Sequence, residues 1–427
     1  MLNVVMVVCG VLATLGAIYG LYFVVTAFPL NPKPDKGVLA PNVTHKFAIL
    51  IFAKNEAAVI GQLVESLQEQ NYPREAYDIY VTADNCTDDT AAIAARCGAI
   101  VWERTDPSRL GKGNAMRWFF ERFRVDCAHR YDACAVFDAD NIVHPQFLSA
   151  MNRQLNLGYE ISIGYRLSKN PSDSAVASTS ALFWLFQTRL FYIGRVHRGY
   201  PCTTVGGPGF VFDLAVLPEG LWPTQSPFED IEFTLLSIAD GRTISFTHDA
   251  IFYDEQPITW RQSLQQRYRW NVDILLMLRY GTPALLQTFR QRWRTTYDAL
   301  IFSVGGVIPA LSMIASFVMT MLFGIETGQW LAIGVSTLVG AAVGYVAIAA
   351  VARWVLALEH QWWPGAWKGV AVFPVFLWTS AMISIFVLFY HSSRPGSTPH
   401  TQALTLDDVM RAQFAGTPEV GAPEVDG

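Results

Sequence analysis

Four long apolar runs limit what this chain can become. They lie at about residues 2–28, 298–323, 329–352 and 369–390, each long enough to cross roughly 30 Å of hydrocarbon as a helix. The chain is therefore expected to be built around about four transmembrane α-helices, with its polar part between the first and second. Basic residues orient it, because Lys and Arg near span ends tend to stay in the cytoplasm. Lys33, Lys36 and Lys46 follow the first run, Arg290, Arg292 and Arg294 precede the second, and Arg353 and Lys368 lie between the third and fourth. The short loop after the second run holds only Glu326. Residues 30–297 are accordingly expected in the cytoplasm of a multi-pass cell (plasma) membrane protein, and parity puts the carboxyl terminus outside. The first run is too long for a signal-peptide core and has no basic segment ahead of it, so it reads as a retained anchor.

The remaining composition narrows the class. Hydrophobic residues make up 52% and charged residues 16% of 427 positions, a balance that suits a membrane protein. A net charge of -5 without a basic, aromatic-interleaved stretch argues against nucleic acid as a partner. The apolar runs hold almost no ionisable residue, which argues against an ion or proton path through them. The six cysteines form no CxxC pair and five fall in the cytoplasmic segment, so zinc and disulfides are not expected. The sequons at Asn42 and Asn85 read as chance matches.

Between the first two runs, short β-rich segments recur at Phe47–Ala53, Asp78–Ala83, Ala99–Glu103, Ala133–Phe137 and Ile161–Tyr165, with helix-like stretches between most of them. This is an α/β pattern with a mostly parallel sheet and helices on both faces. Ligands of such sheets bind beyond the carboxyl ends of the strands, so the residues just after each run are the candidates. They are Glu56, Asp84, and the pair Asp138 and Asp140. Two carboxylates one residue apart at a strand end supply hard oxygen ligands for Mg2+ or Mn2+. Lys112 stands between Gly111 and Gly113 ahead of a helix, where backbone amides and an ammonium meet an anion, without the spacing of an ATPase phosphate loop. Asp88 and Asp89 read as helix caps, as does Glu229. His248 reads as a hydrogen-bonded structural residue, with no second ligand spaced beside it. The segment 176–196 reads as an interfacial or core-packed helix. Residues 256–297 read as an amphipathic helical region on the headgroup surface, with Arg261, Arg267 and Arg269 on its polar side.

Taken in order, AKNEAA at 53–58, ADNCTDDT at 83–90, GKGNA at 111–115, DAD at 138–140, FED at 228–230 and QRYRW at 266–270 resemble the membrane-bound branch of family 2 glycosyltransferases with a GT-A fold. That branch holds cellulose, chitin, hyaluronan and poly-N-acetylglucosamine synthases. The resemblance covers about residues 47–270. It implies a UDP-sugar donor contacted by Glu56, Asp84, Lys112, Asp138, Asp140, Gln266 and Arg269, and a metal on Asp140 and Asp138. It also implies Asp230 as catalytic base, and an acceptor, saccharide or lipid-linked, near Trp270, Glu229 and Gly207. Phe228 replaces the usual Thr of that signature. The implied domains are an anchor at 1–29, a GT-A domain at 30–255, an interfacial region at 256–297, three spans in 298–391 and a disordered tail at 392–427. The implied reaction is inverting transfer to a growing polysaccharide, possible export included, or else addition of one sugar to a lipid-linked acceptor.

Overall fold

Between the first and second membrane-type helices, strand and helix alternate as the sequence pattern requires. The computed structural model describes residues 2–27, 42–226, 228–305, 307–390 and 400–414. After α1 (Leu2–Ala27) come β1 (Phe47–Ala53), α2 (Ile60–Gln68), β2 (Tyr77–Asp84), α3 (Thr90–Arg96), β3 (Ile100–Arg104), α4 (Lys112–Asp126) and β4 (Ala133–Asp138). Then follow β5 (Ile142–Val143), α5 (Phe147–Asn156), β6 (Ile161–Ser168), α6 (Ala175–Gln187), α7 (Gly194–His197), β7 (Phe210–Asp213), α8 (Glu229–Asp240) and β8 (Ile244–Asp254). All eight strands join one sheet in the order β3-β2-β1-β4-β7-β6-β8-β5.

The five expected strands are present, and three more complete the sheet. β7 runs antiparallel to β4 and β6, and β5 antiparallel to β8, so the sheet is mixed. β7 is four residues long, and β8 carries Thr247, His248 and Asp249 in its middle; neither forms a clean apolar run. Alternation in β1 splits its side chains between two cores. Ala48 and Leu50 pack with Phe119, Phe120 and Phe123 of α4 and Phe233 of α8. Phe47, Ile49 and Ile51 pack on the opposite face with Leu63 and Val64 of α2 and Leu148 and Met151 of α5.

Beyond the sheet the chain forms α9 (Trp260–Tyr280), α10 (Thr282–Thr288), α11 (Trp293–Ser303), α12 (Val307–Thr327), α13 (Trp330–Leu358), α14 (Ala366–Phe389) and α15 (Leu406–Phe414). Four of the described helices are long and apolar enough to cross a membrane, namely α1, α12, α13 and α14. The second begins later than its apolar run because Asp298 belongs to α11, where it pairs with buried Arg195 at 2.9 Å.

Arginines of the sheet domain grip these helices. Arg198 donates to the carbonyls of Val25 and Thr26 at 2.7 and 2.6 Å, and Arg189 to that of Leu358 at 3.2 Å. These three bonds satisfy carbonyls at helix carboxyl termini, so α1 and α13 each end at the domain. α12 runs antiparallel to α1, with the Ser312 side chain against Gly16 and Gly305 beside the Tyr19 hydroxyl. It therefore leaves the domain. α14 lies along α6 and α9: Gly369 meets Ser178, and Phe376 meets Phe183.

Three expectations are corrected here. Arg267 is not a surface residue of an amphipathic helix; it is 2% exposed and donates to Phe376 O, Thr379 Oγ1 and Ser380 Oγ at 2.7–2.8 Å. The tail is not disordered throughout, because residues 400–414 are placed against the sheet domain, with Val409 buried beside Tyr253 and Leu356. Parity would carry the carboxyl-terminal segment away from the sheet domain, whereas His400 lies 3.2 Å from both Glu56 oxygens. Residues 391–399 and 415–427, also assigned to that tail or its start, lie outside the described residues.

Candidate active site

The chain turns from one side of β1 to the other between β3 and β4, so a crevice opens at the carboxyl ends of β1 and β4. Glu56 follows β1, and Asp138 and Asp140 stand at and after the end of β4. Buried Asn141 holds the latter turn. Its Oδ1 accepts from the Asp138 amide at 3.0 Å, and its Nδ2 donates to Asp254 Oδ1 at 3.0 Å at the end of β8.

Lys112 opens α4 and reaches across: its Nζ is 2.5 Å from Asp138 Oδ1 and 4.0 Å from Glu229 Oε1. A Cβ on Gly113 would meet Ser226 O at 3.0 Å and Glu229 Cβ at 3.4 Å. Glycine thus permits the close approach of α4 to α8 that carries Lys112 to the acids. Glu229 does not cap α8, whose first turn has no side-chain cap at Phe228. Next to it, Asp230 lies across the loop from Arg166, and a Cβ on Gly207 would stand 3.8 Å from Asp230 Oδ2 and 3.6 Å from Arg166 Nη2. Thr234 ties the two together, accepting from the Val205 amide at 2.9 Å and donating to Asp230 O at 2.7 Å.

Arg166 then links the acids to an aromatic wall. It sits 3.6 Å from Asp254 Oδ2, donates to Gly206 O, and lies 3.9 Å over the Trp184 ring. Trp270 stacks on Phe183 at 5.9 Å and meets Trp184 edge-on at 5.3 Å.

Acid crowding dominates the electrostatics. Burial raises Glu229 to about 7, with Asp230 adding and Lys112 opposing. Burial likewise raises Asp254 to about 7, opposed by Arg166 and helped by Asp140 and Asp138. Asp230 is also raised, mainly by burial. Burial opposes ionisation of Asp138, but Lys112 outweighs it and the carboxyl is held below its ordinary range.

The returning tail supplies a further cation. His400 Nδ1 is 3.2 Å from both Glu56 oxygens, and its Nε2 is 3.8 Å from Asp140 Oδ2. Burial lowers the imidazole, but Asp140 and Glu56 prevail and raise it to about 10. The amides of Thr401 and Gln402 bond Glu255 at 3.1 and 3.2 Å, and Lys169 bonds Gln402 O at 2.8 Å.

The structure thus gathers Glu56, Lys112, Asp138, Asp140, Gly207, Glu229 and Asp230 at one crevice. Asp84 stands at its strand end, but its Oδ1 accepts from Arg104 at 2.5 Å and from Asn85 at 2.8 Å. Gln266 lines a small cavity with His400 and Glu255, and Arg269 makes no hydrogen bond or ion pair among the described residues. His248 is structural as expected, 3.5 Å from Glu359 Oε2. Arg166, Asp254 and His400 were not among the expected residues. The strand-end rule would have found Asp254 had β8 been recognised. Nothing local marks Arg166 inside a strand, or His400 far along the chain.

Apart from His400, the residues that form this crevice fall within 45–272, the segment that matches "Glycosyltransferase like family 2". The chain belongs to glycosyltransferase family 2. It is similar to the probable glycosyltransferase YdaM of Bacillus subtilis (27% identity, 53% of this chain and 54% of that protein). It is also similar to the beta-monoglucosyldiacylglycerol synthase of Synechocystis sp. (42% identity, 52% and 46%) and that of Nostoc sp. (24%, 64% and 58%). The chain spans about half the length of these curated relatives. Among solved structures, the mannosyltransferase PcManGT of Pyrobaculum calidifontis, in complex with GDP-Man and Mn2+, superposes with a TM-score of 0.56. It shares 15% identity over 90% of this chain and 99% of that one, so this family 2 member shares its fold.

Proposed function

We propose that the chain transfers a sugar, with inversion, from a UDP-sugar to a hydroxyl of a lipid-linked acceptor held where the catalytic domain meets the membrane helices. The observation that carries this is the continuity from acid to membrane helix. Asp230 faces Arg166 across Gly207, Arg166 stacks on Trp184, Trp184 meets Trp270, and α6 and α9, which bear these rings, pack on apolar α14. An acceptor anchored in the bilayer reaches the base from there without leaving it. The names of the cyanobacterial relatives support a lipid acceptor, and the basic residues flanking the apolar helices support a cytoplasmic catalytic domain.

A divalent ion fits the residues present. Asp138 and Asp140 offer hard carboxylate oxygens at and just after the end of β4, with partly buried Asp254 beside them, held up to about 7 chiefly by burial and in smaller part by Asp140 and Asp138. Asp138 and Asp140 would hold Mg2+ or Mn2+, with diphosphate oxygens completing the shell, since no three ligating side chains are grouped among the described residues. Bound there, the ion offsets the charge of the departing diphosphate. Lys112 and Arg166 orient that diphosphate by charge. Asp230 accepts the acceptor's hydroxyl proton, the freed oxygen bonds the anomeric carbon, and the bond to diphosphate breaks on the opposite face.

Extension of a polysaccharide is the second reading, favoured by the QRYRW segment and the Trp270 face. The test is purified protein in nanodiscs containing diacylglycerol, offered labelled UDP-glucose, UDP-galactose, UDP-N-acetylglucosamine or GDP-mannose with Mn2+. A single-sugar glycolipid from a UDP-sugar is expected. Polymer formation selects the second reading, and absence of nucleotide release from every donor refutes both.

A further inference from the structure

A cavity of about 490 Å³ lies away from the acid crevice, lined by Tyr200, Arg242, Arg292, Trp293, Arg294 and Thr295 among others. It includes Ile244 and Ser245, at the start of β8. Asp254 ends that strand, about 30 Å away at strand rise, so the cavity is separate from the transfer site.

Its position is interfacial. Gly199 and Tyr200 line it next to Arg198, which bonds the last carbonyls of α1. Tyr22, about one turn before the end of α1, bonds Asp298 of α11. Trp293 lies five residues, or about 7.5 Å, earlier in that helix, level with the end of α1. Trp293 is 57% exposed, and its ring stands 6.2 Å from Tyr297, which in turn is 6.1 Å from Tyr200. Such an aromatic band marks the headgroup level of a bilayer.

Its chemistry is anionic-ligand chemistry. Arg242 is paired with Glu160, but Arg292 and Arg294 have no carboxylate partner among the described residues. The Arg292 guanidinium lies directly over Gly241, where a Cβ would overlap Nη1. Glycine at φ +82 both ends α8 and makes room for that cation. The first turn of α11 forms part of the wall, and no side chain caps it, so its leading amides at Trp293 and Arg294 have no side-chain acceptor. The volume lies within the range of small-molecule sites and exceeds what one phosphate needs.

We propose that this cavity binds the phosphodiester headgroup of an anionic glycerophospholipid, anchoring the catalytic domain at the membrane surface independently of the transfer site. Each arginine near an anionic headgroup is worth about fivefold in affinity. Arg292→Ala with Arg294→Ala should therefore weaken retention about 25-fold, and Arg292→Lys with Arg294→Lys should largely keep it.

The test is the full chain in nanodiscs of phosphatidylcholine with added phosphatidylglycerol. Native mass spectrometry then measures the lipid retained on release, and unfolding temperature serves as the folding control. Preferential phosphatidylglycerol retention by the wild type, lost in the alanine pair but kept in the lysine pair, is expected. Equal retention by wild type and the alanine pair would overturn the proposal. So would full displacement of the lipid by glycerol 3-phosphate or inorganic phosphate, which would make this a site for free phosphate.

Discussion

Asp230 and its neighbours carry the proposed chemistry at the residue scale. A partly buried carboxylate facing Arg166 across Gly207 is placed to take a proton, and general-base groups contribute about 10²- to 10⁴-fold. Asp230→Asn should lower turnover by about a thousandfold while leaving the UDP dissociation constant within about twofold, as calorimetry would check. Retained turnover would remove Asp230 from the mechanism. The raised acids make a second statement. Glu229 and Asp254 sit near 7 in the folded chain, against ordinary values of 4.5 and 3.8. The folded state therefore holds more protons than the unfolded one between those limits, and stability falls as pH rises through that window. The unfolding temperature of ligand-free protein should decline from about pH 4.5 to 7. Mn2+ should raise it more at pH 7 than at pH 5, because the ion binds the ionised acids; scanning fluorimetry across pH reads both.

At the scale of elements, buried arginines and the returning tail join the catalytic sheet to the apolar helices. Arg267 of α9 makes three short bonds to α14 and lies 4.0 Å over Phe376. Arg267→Ala strands those acceptors in an apolar contact and should cost about 1–3 kcal/mol, seen as a lower unfolding temperature in detergent. The tail acts on the acids. His400 competes with any metal for Glu56 and Asp140, so His400→Ala should tighten Mn2+ binding about three- to tenfold at constant pH, measured by titration. Unchanged Mn2+ affinity would show that the ion does not use this end of the crevice. Both contacts are between segments more than a hundred residues apart. The sequence marked α9 as amphipathic, but which of its arginines turned inward depended on where α14 lay.

Taken whole, the molecule is a mixed α/β sheet hung beneath apolar helices, with its own carboxyl-terminal segment folded back over the crevice. α1 and α13 run toward the domain and α12 away from it. Residues 400–414 lie at the domain, so the chain should have its carboxyl-terminal segment on the catalytic side. A cysteine introduced at Thr405 should be labelled by an impermeant reagent only when the catalytic face is open to it; labelling from the opposite face would contradict this arrangement. By itself the sequence determined the local matters: the four apolar helices from run length, the main strands from apolar periodicity, and Glu56, Lys112, Asp138, Asp140 and Asp230 as candidates from ordered signatures. Those properties are set within a few residues of chain. Tertiary structure alone decided the rest: β8 and its terminal Asp254, the Arg166 bridge to Trp184, the inward turn of Arg267 and the return of His400. Each depends on packing between distant segments, where burial of charge against a particular partner, rather than local pattern, selects the position.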